Sequence, residues 1–279
     1  MFDSNMAEKA AENLRRVREK KPLIHNITNY VVMNYTANAL LACGASPVMA
    51  HAADEVEEMV SLAGGVVLNI GTLSPPWIEA MLKAGKRANA LHVPVILDPV
   101  GAGATKLRTD SARQLIREVS IQVIRGNASE ILSLPQERAG FRTKGVDAIH
   151  SVDQAAETAM SLARELGTTL AITGAVDLIT DGNRTCRVMN GHEMMGLVTG
   201  TGCTATVIIG AFLAVDPDPL GAAATGLSYF GLCGEKAASR TLSPGSFQIA
   251  LLDALYEIGE EELKAGARIQ TGPQVPATE

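Results

Sequence analysis

A glycine-rich loop followed by the longest apolar run in the chain is the first feature that could do chemistry. The loop ends in Gly200-Thr-Gly-Cys203, and the apolar run continues to Val215. This run has the length and composition of a buried helix that begins at the glycine turn. The first amides of a helix have no intrahelical acceptor and carry the positive end of its dipole. We therefore expect the loop to bind an anion, typically a phosphate.

Cys203 stands at this positive end, where a thiol is expected to have a lowered pKa and to be partly thiolate near neutral pH. A cysteine at the start of a buried helix is also commonly just a small apolar residue, and glycines before a helix often form only a turn. The segment fits the dinucleotide pattern G-x-G-x-x-G/A as well, but it follows a predicted hairpin late in the chain rather than a first βαβ strand. Cys203 is therefore a candidate reactive thiol, with simple core packing as the alternative.

Charged residues follow the carboxyl ends of continuous apolar segments. Asp98 follows the segment 94–97, Arg125 follows 121–124, and Glu130 lies in the first turn of the next predicted helix. Ligands of open α/β sheets gather at the carboxyl ends of strands. Two carboxylates there suit a hydrated Mg²⁺, and Arg125 suits phosphates. Each acid also has a purely structural interpretation, because Glu130 can cap a helix and Asp98 can form a turn before proline.

A second polar cluster follows the first predicted strand, and its members are His25, Asn26, Thr28 and Asn29. Asn and Thr in this position are more commonly turn and cap residues than ligands. Four such residues at one strand end could nevertheless line a pocket.

The elements that must position these residues alternate between strand and helix. Continuous apolar strands are buried on both faces, which predicts an α/β fold with a mostly parallel sheet and helices on each side. Residues 176–189 alternate around Asp181-Gly-Asn183, which predicts a hairpin at an antiparallel edge of the sheet. The predicted strands are 23–27, 46–50, 65–70, 94–97, 121–124 and 169–173. The predicted helices are 7–20, 30–42, 56–62 (capped by Asp54), 74–91, 109–119, 152–166, the helix after Gly202, 219–239 and 248–258.

Composition and charge argue against a nucleic-acid-binding, secreted or membrane-spanning protein. The chain has 279 residues and a formal net charge of −6, and we expect one domain over residues 1–279 with scattered basic residues and no nucleic-acid surface. The four cysteines show no metal-binding spacing, so we expect reduced thiols and a cytoplasmic protein. The amino-terminal residues lack the apolar core of a signal peptide, and the run after Gly202 is too interrupted to span a membrane. Residues 140–147 are expected to be mobile, and the tail from about residue 272 to be disordered.

With these elements in order, the chain resembles the hydroxyethylthiazole kinases of thiamine salvage, a family of the ribokinase-like superfamily. The resemblance covers most of the chain, from residue 23 to about residue 258. Several long motifs in the same order carry it: Ile24-His-Asn-Ile-Thr-Asn29, Gly44-Ala-Ser-Pro-Val-Met49, Leu68-Asn-Ile-Gly-Thr72, Val95-Ile-Leu-Asp-Pro-Val-Gly-Ala-Gly-Ala104, Arg125-Gly-Asn-Ala-Ser-Glu130, Ile172-Thr-Gly174 and Gly200-Thr-Gly-Cys203.

The resemblance implies phosphorylation of 4-methyl-5-(2-hydroxyethyl)thiazole by ATP with Mg²⁺, in a homotrimer whose active sites lie at subunit interfaces. It also implies roles for nine residues: Met49, Gly200 and Asn26 would bind the thiazole, Arg125, Thr173 and Gly202 the ATP, Asp98 and Glu130 the magnesium shell, and Cys203 would be catalytic. Most members of the superfamily carry an aspartate base where this chain has Cys203. Because phosphoryl transfer has a loose transition state, a weak base is tolerable there.

Three other interpretations stay open at this point. Another vitamin-precursor kinase of the superfamily, of the hydroxymethylpyrimidine type, would share the fold and the use of ATP. A nucleotide-dependent NAD(P)HX dehydratase would share the phosphate loop but carries aspartate where this chain has Cys203. A sensor of thiazole or nucleotide would keep the pocket without turnover. The asparagine-rich first strand end and Cys203 both favour the thiazole kinase.

Overall fold

One nine-stranded sheet runs through the part of the chain that the computed structural model describes, residues 2–135 and 152–272. Its strands are β1 (Leu23–Ile27), β2 (Ser46–Val48), β3 (Gly65–Asn69), β4 (Val95–Asp98), β5 (Val123–Asn127), β6 (Thr169–Thr173), β7 (Asp177–Thr180), β8 (Thr185–Val188) and β9 (Ile269–Thr271). Their order across the sheet is β2-β1-β3-β4-β5-β6-β7-β8-β9. The pairs from β2 to β6 are parallel, and those from β6 to β9 are antiparallel.

Helices cover both faces of this sheet. Their bounds are α1 (Ser4–Lys20), α2 (Met33–Cys43), α3 (Val56–Val60), α4 (Pro75–Ala90), α5 (Lys106–Glu118), α6 (Ala128–Leu132), α7 (Val152–Leu166), α8 (Thr201–Leu213), α9 (Pro219–Ala238), α10 (Pro244–Glu257) and α11 (Glu260–Gly266), with a short 3-10 helix at Glu193–Leu197. Among the described residues, no helix combines the length and the apolar composition that crossing a bilayer requires.

Alternate residues of the central strands belong to two separate hydrophobic layers. Val67 and Ile96 face the layer that contains α8, whereas Val66 and Leu97 face the layer that contains α4 and α5. Both sets are buried, and each fully buried aliphatic side chain contributes roughly 1.5–3 kcal/mol to folding. The continuous apolar runs of the sequence therefore reflect burial on both faces of a parallel sheet.

Helix α8 lies closer to the sheet than bulky side chains would permit. A β-carbon on Gly210 would stand 2.9 Å from Cγ2 of Val67, so glycine is required for this approach. The residues of α8 from Thr204 onward are buried. This packing places the first turn of α8, with Cys203, among the residues that end the parallel strands.

The predicted fold class and the hairpin are confirmed, and most element bounds agree within a few residues. Two short elements near the carboxyl end, α11 and β9, were not predicted, because three or seven residues carry too little periodicity. Asp54 does not cap α3, whose N-cap is Glu55 with no side-chain hydrogen bond. Strand β5 begins two residues later than predicted and continues through Arg125 to Asn127. The expectations for residues 140–147 and for the tail from Pro273 lie outside the described residues.

Strand β9 joins the last described segment to the start of the chain. The amide of Asp3 donates to the carbonyl of Ile269 (2.8 Å), and Oγ1 of Thr271 donates to Oδ2 of Asp3 (2.9 Å). Oδ1 of Asp3 also accepts from the amide of Asn5 (2.9 Å) and so caps α1. One aspartate thus couples the first helix to the antiparallel edge of the sheet.

Candidate active site

The carboxyl ends of neighbouring parallel strands bring several polar side chains together around the first turn of α8. These side chains are Asn29 after β1, Asn69 at the end of β3, Asp98 at the end of β4, Arg125 in β5 and Thr173 at the end of β6. Parallel strands that end at one edge of a sheet form the usual ligand crevice of open α/β folds. The charged and amide groups predicted from separate segments therefore converge on one place.

The sulfur of Cys203 lies between two asparagine amides. Nδ2 of Asn69 is 3.2 Å from Sγ, and Nδ2 of Asn29 is 3.5 Å from it. Burial raises the pKa of the Cys203 thiol to about 11, with the Asp98 carboxylate as a second cause. The predicted lowering of this pKa is therefore wrong, because desolvation and the negative charge of Asp98 both favour the neutral thiol. Cys203 is a neutral thiol at pH 7.

Asp98 is fully buried, and three polar groups lie close to its carboxylate. Its Oδ2 accepts from Asn69 Nδ2 (3.0 Å) and from Thr206 Oγ1 (2.8 Å), and it lies 3.8 Å from Nη1 of Arg125. Its Oδ1 is buried without a hydrogen-bond partner. Burial raises the pKa of Asp98 to about 6, and the Arg125 charge opposes this rise. A buried carboxylate with a free oxygen is suited to hold a cation or a proton donor.

Arg125 lies directly beside the start of α8. Its Nη2 donates to Oγ1 of Thr173 (2.7 Å), and its Nε is buried without a partner. A β-carbon on Gly202 would stand 2.8 Å from Nη1, so a larger residue there would displace the guanidinium from its place against this turn. A guanidinium and the first amides of a helix together form a binding site for phosphate oxygens.

Gly200 begins α8 in the left-handed region, with φ of 87°. A β-carbon there would also stand 2.7 Å from Cγ1 of Val32. Glycine is therefore required twice, for the backbone conformation and for the close approach to the loop after β1.

Both carboxylate oxygens of Glu130 accept hydrogen bonds from backbone amides, and these bonds connect the loop after β4 to the start of α6. Oε2 accepts from the amide of Asn127 (2.9 Å), which completes a capping box at α6, and Oε1 accepts from the amide of Gly101 (2.8 Å). The Glu130 charge contributes to the raised pKa of Asp98, so the two acids are electrostatic neighbours. In residues 2–135 and 152–272, no group of three or more His, Cys, Asp or Glu side chains is arranged to hold a metal.

Met49 and Asn26 belong to the part of the sheet formed by β2 and β1. Among the described residues, no hydrogen bond joins either of them to Cys203. Met49 follows β2 and is half-buried. Asn26 is fully buried in β1, where Nδ2 donates to Oγ1 of Thr36 (3.2 Å) and Oδ1 has no partner. The segment after Met49 is fixed by His25, whose Nε2 lies 2.8 Å from the carbonyl oxygen of Ala50. Burial lowers the pKa of His25, so the ring is neutral and Nε2 donates.

Three residues of this site were not assigned a role from the sequence: Asn69, Thr206 and Asp177. Asn29 belongs to the polar cluster for which lining a pocket was one of the two interpretations. Asn69 and Thr206 contact Asp98, Asn29 contacts Cys203, and the buried Asp177 at the start of β7 lies within electrostatic range of Arg125. Asn69 ends a buried strand, which is the same signal that marked Asp98. Thr206 and Asp177 carried no such signal, because their positions follow from the packing of α8 and the hairpin.

Comparisons with known proteins identify the family of this chain. The sequence model of the hydroxyethylthiazole kinase family matches residues 14–261. A hydroxyethylthiazole kinase of Desulfotalea psychrophila is 62% identical over 96% of this chain and 97% of its own. The structure of a hydroxyethylthiazole kinase from Pyrococcus horikoshii has a TM-score of 0.86 at 48% identity, over 95% of this chain and 99% of its own. A ribokinase-like superfamily protein from Enterococcus faecalis, at 14% identity and TM-score 0.64 over 93% and 96%, shares the fold. The chain belongs to the hydroxyethylthiazole kinase family.

Proposed function

We propose that this chain transfers the γ-phosphoryl group of ATP to the hydroxyl of 4-methyl-5-(2-hydroxyethyl)thiazole, a step of thiamine biosynthesis and salvage. The observation that carries the proposal is the guanidinium of Arg125 lying against Gly202 in the first turn of α8. This turn and Arg125 supply positive charge at one point, beside the buried carboxylate of Asp98. Such an arrangement suits the binding of a nucleoside triphosphate next to an acceptor alcohol.

The transfer forms a bond from the thiazole hydroxyl oxygen to the γ-phosphorus and breaks the bond to the bridging oxygen of ADP. The hydroxyl proton passes to solvent water once the new bond has formed, and ADP leaves with the electron pair of the broken bond. Arg125, Thr173 and the amide of Gly202 would bind the phosphate oxygens and stabilise the charge that moves during transfer. Because the transition state is loose, positioning and charge neutralisation supply most of the rate enhancement.

The residues present fit a magnesium ion. Mg²⁺ in kinases uses one or two carboxylates together with waters and substrate phosphates, and Asp98 has a buried oxygen with no partner. Asp98 would hold the ion, and Glu130 would contribute through water because both of its oxygens already accept backbone amides. The ion would supply charge neutralisation for the triphosphate.

Cys203 would contact the acceptor hydroxyl as a neutral thiol rather than as a strong base. Its pKa of about 11 leaves almost no thiolate at pH 7. A loose transition state keeps the hydroxyl proton in place until the new bond is largely formed, so an early base is unnecessary. Met49, Gly200 and Asn26 would bind the thiazole ring, which is supported by the unpartnered Oδ1 of Asn26.

We also propose a homotrimer with active sites at subunit interfaces. Large apolar side chains next to the site are exposed in the single chain: Tyr30 (65%), Val31 (69%) and Leu197 (66%). Tyr30 and Val31 directly follow Asn29, and Leu197 precedes Gly200 by three positions. Exposed apolar groups of this kind mark interaction surfaces. Sedimentation equilibrium tests the trimer, and a monomer at micromolar concentration would contradict it.

A cytoplasmic location completes the proposal. All four cysteines are free, which suits a reducing compartment. Fractionation of the source cells tests this, and recovery of the protein outside the cytoplasm would contradict it.

Magnesium-dependent release of ADP with the thiazole alcohol tests the reaction. We expect saturable ADP release with the thiazole and ATP, and loss of this activity when Mg²⁺ is chelated. ADP release with hydroxymethylpyrimidine but not with the thiazole would indicate a hydroxymethylpyrimidine kinase instead. ATP-dependent repair of hydrated NADH would indicate an NAD(P)HX dehydratase. Tight thiazole binding with no ADP release would indicate a sensor.

A further inference from the structure

Two asparagine side chains are fixed with their amide donors towards Cys203. The amide of Gly71 donates to Oδ1 of Asn69 (2.9 Å), and the amide of Val31 donates to Oδ1 of Asn29 (3.1 Å). A backbone amide can only donate, so the atom it contacts must be the side-chain oxygen. The opposite atom of each side chain is therefore the NH₂ group, and this group faces Sγ of Cys203 in both cases.

The two asparagines also hold each other. Nδ2 of Asn29 donates to Oδ1 of Asn69 (2.9 Å), and Nδ2 of Asn69 donates to Oδ2 of Asp98 (3.0 Å). Both side chains are buried. A β-carbon on Gly71 would stand 2.6 Å from Nδ2 of Asn29, so the loop after β3 leaves room for this pair only with glycine. The contacts form one connected network, which restricts rotation of each amide.

The two donors decide where the thiol proton points. Since both asparagines offer N–H groups, Sγ accepts from them and cannot donate its own hydrogen to either. The S–H bond therefore points away from both asparagines.

We propose that Asn29 and Asn69 are positioning residues that orient the Cys203 thiol, so that its S–H group faces the hydroxyl oxygen of the acceptor alcohol. This proposal rests on the proposed function, since that oxygen belongs to its substrate. A thiol side chain otherwise has three staggered orientations. Two N–H donors from one side favour the orientation in which the sulfur lone pairs face the asparagines.

Two variants remove an N–H donor that faces Cys203 while keeping a side chain of similar size. Asn29→Asp keeps the size of the side chain and the oxygen that accepts from Val31, but it replaces the donor NH₂ by an acceptor. Asn69→Leu keeps a similar branched shape and removes both polar atoms. We expect each to lower kcat about tenfold, because a thiol that has turned to another partner no longer positions the acceptor hydroxyl for attack. The KM for ATP should stay within about twofold in Asn29→Asp, because this change leaves Arg125, Gly202 and the hydrogen bonds of Asp98 untouched. Asn69→Leu also removes a hydrogen bond to Asp98, so this variant is judged by its kcat and its S–H band.

Asn13→Leu is the matched control. Asn13 is also buried, and its Nδ2 donates to Oδ2 of Asp216 (2.8 Å) and to Oγ1 of Thr225 (3.1 Å), away from Cys203. This variant loses comparable hydrogen bonds and should lose stability, but its kcat should stay within about twofold of the parent.

The S–H stretching band of Cys203 gives a readout that needs no turnover. Difference infrared spectra against Cys203→Ser isolate this band from those of the other three cysteines. In Asn29→Asp the thiol should turn to donate to the new carboxylate, so the band should move to lower frequency, while Asn13→Leu should leave it unchanged.

An unshifted band in both Asn29→Asp and Asn69→Leu would overturn the proposal. A shifted band with unchanged kcat would overturn it too, because thiol orientation would then not serve the transfer. If the parent enzyme released no ADP with the thiazole, the proposed function would fail, whereas the band shifts would still report thiol orientation.

Discussion

The guanidinium of Arg125 and the backbone of Gly202 are in such close contact that a methyl group on Gly202 would come within 2.8 Å of Nη1. Nη2 of Arg125 also donates to Oγ1 of Thr173 (2.7 Å), and Nη1 lies 3.8 Å from Oδ2 of Asp98. The start of α8 therefore packs directly against the end of β5, and the guanidinium of Arg125 occupies the contact between them.

Gly202→Ala should displace this guanidinium and weaken ATP binding. Loss of a charge-assisted hydrogen bond costs roughly 1.5–3 kcal/mol, so the KM for ATP should rise about tenfold or more. Steady-state kinetics with varied ATP measures it. Gly245→Ala is the control, because a β-carbon there meets nothing within 4 Å. An unchanged KM in Gly202→Ala would show that Arg125 does not bind the nucleotide.

Glu130→Gln should weaken the connection between the loop after β4 and the start of α6. A glutamine oxygen can accept from only one of the two amides, of Gly101 and Asn127, and its NH₂ group would face the other donor. We expect a loss of about 1–3 kcal/mol in the free energy of unfolding and a lower kcat. Urea denaturation measures the loss. Glu118, which is half-buried and paired with Lys86 at the protein surface, provides the control Glu118→Gln, for which a much smaller loss is expected.

Cys203→Asp should fold and keep or raise turnover, because its carboxylate can accept the hydroxyl proton and so replaces the contact of the oriented thiol by a base. Cys203→Ala provides neither the thiol nor a base and should lower turnover moderately. The carboxylate would face the N–H donors of Asn29 and Asn69 and the positive end of α8, which offset the cost of burying it. Saturating kinetics and thermal unfolding of both variants provide the measurement. If Cys203→Ala equalled the parent while Cys203→Asp was folded and inactive, Cys203 would be a packing residue.

Asp177→Asn should remove a pH dependence of stability. Burial raises the pKa of Asp177 from 3.8 to about 6, so the folded state holds this proton more tightly than the unfolded chain. Its contribution to stability is present below pH 3.8 and is lost as the pH rises to about 6. Relative to the parent, the variant should gain up to about 3 kcal/mol between these pH values. Urea denaturation at pH 4 and pH 7 measures the gain, and an equal difference at both would contradict it.

Strand ends were the part of the site that the sequence could predict. Asp98, Arg125 and Thr173 each follow or end a buried apolar run, and a parallel sheet must bring such ends to one edge. The same reasoning could have marked Asn69, which ends β3. The fold class followed from the same apolar runs, and the hairpin followed from Asp181-Gly-Asn183.

Contacts between distant segments were the part that could not be predicted. The pKa of Cys203 depends on burial and on the distance to Asp98, and neither can be obtained from sequence spacing. The helix dipole alone gave the wrong sign. Likewise, Glu130 was predicted as a metal ligand, while the bonds from its two oxygens to the amides of Gly101 and Asn127 depend on the loop after β4.

The hydrogen bonds between Asp3 and β9 have a consequence for the order of assembly. Asp3 and Thr271 are 268 positions apart, so the first helix leaves the ribosome long before its partner strand is made. Every residue of the candidate site precedes β9 in the chain. A nascent chain can therefore build the parallel half of the sheet and the candidate crevice first, and Asp3 can pair with β9 only after every residue of that crevice has been made.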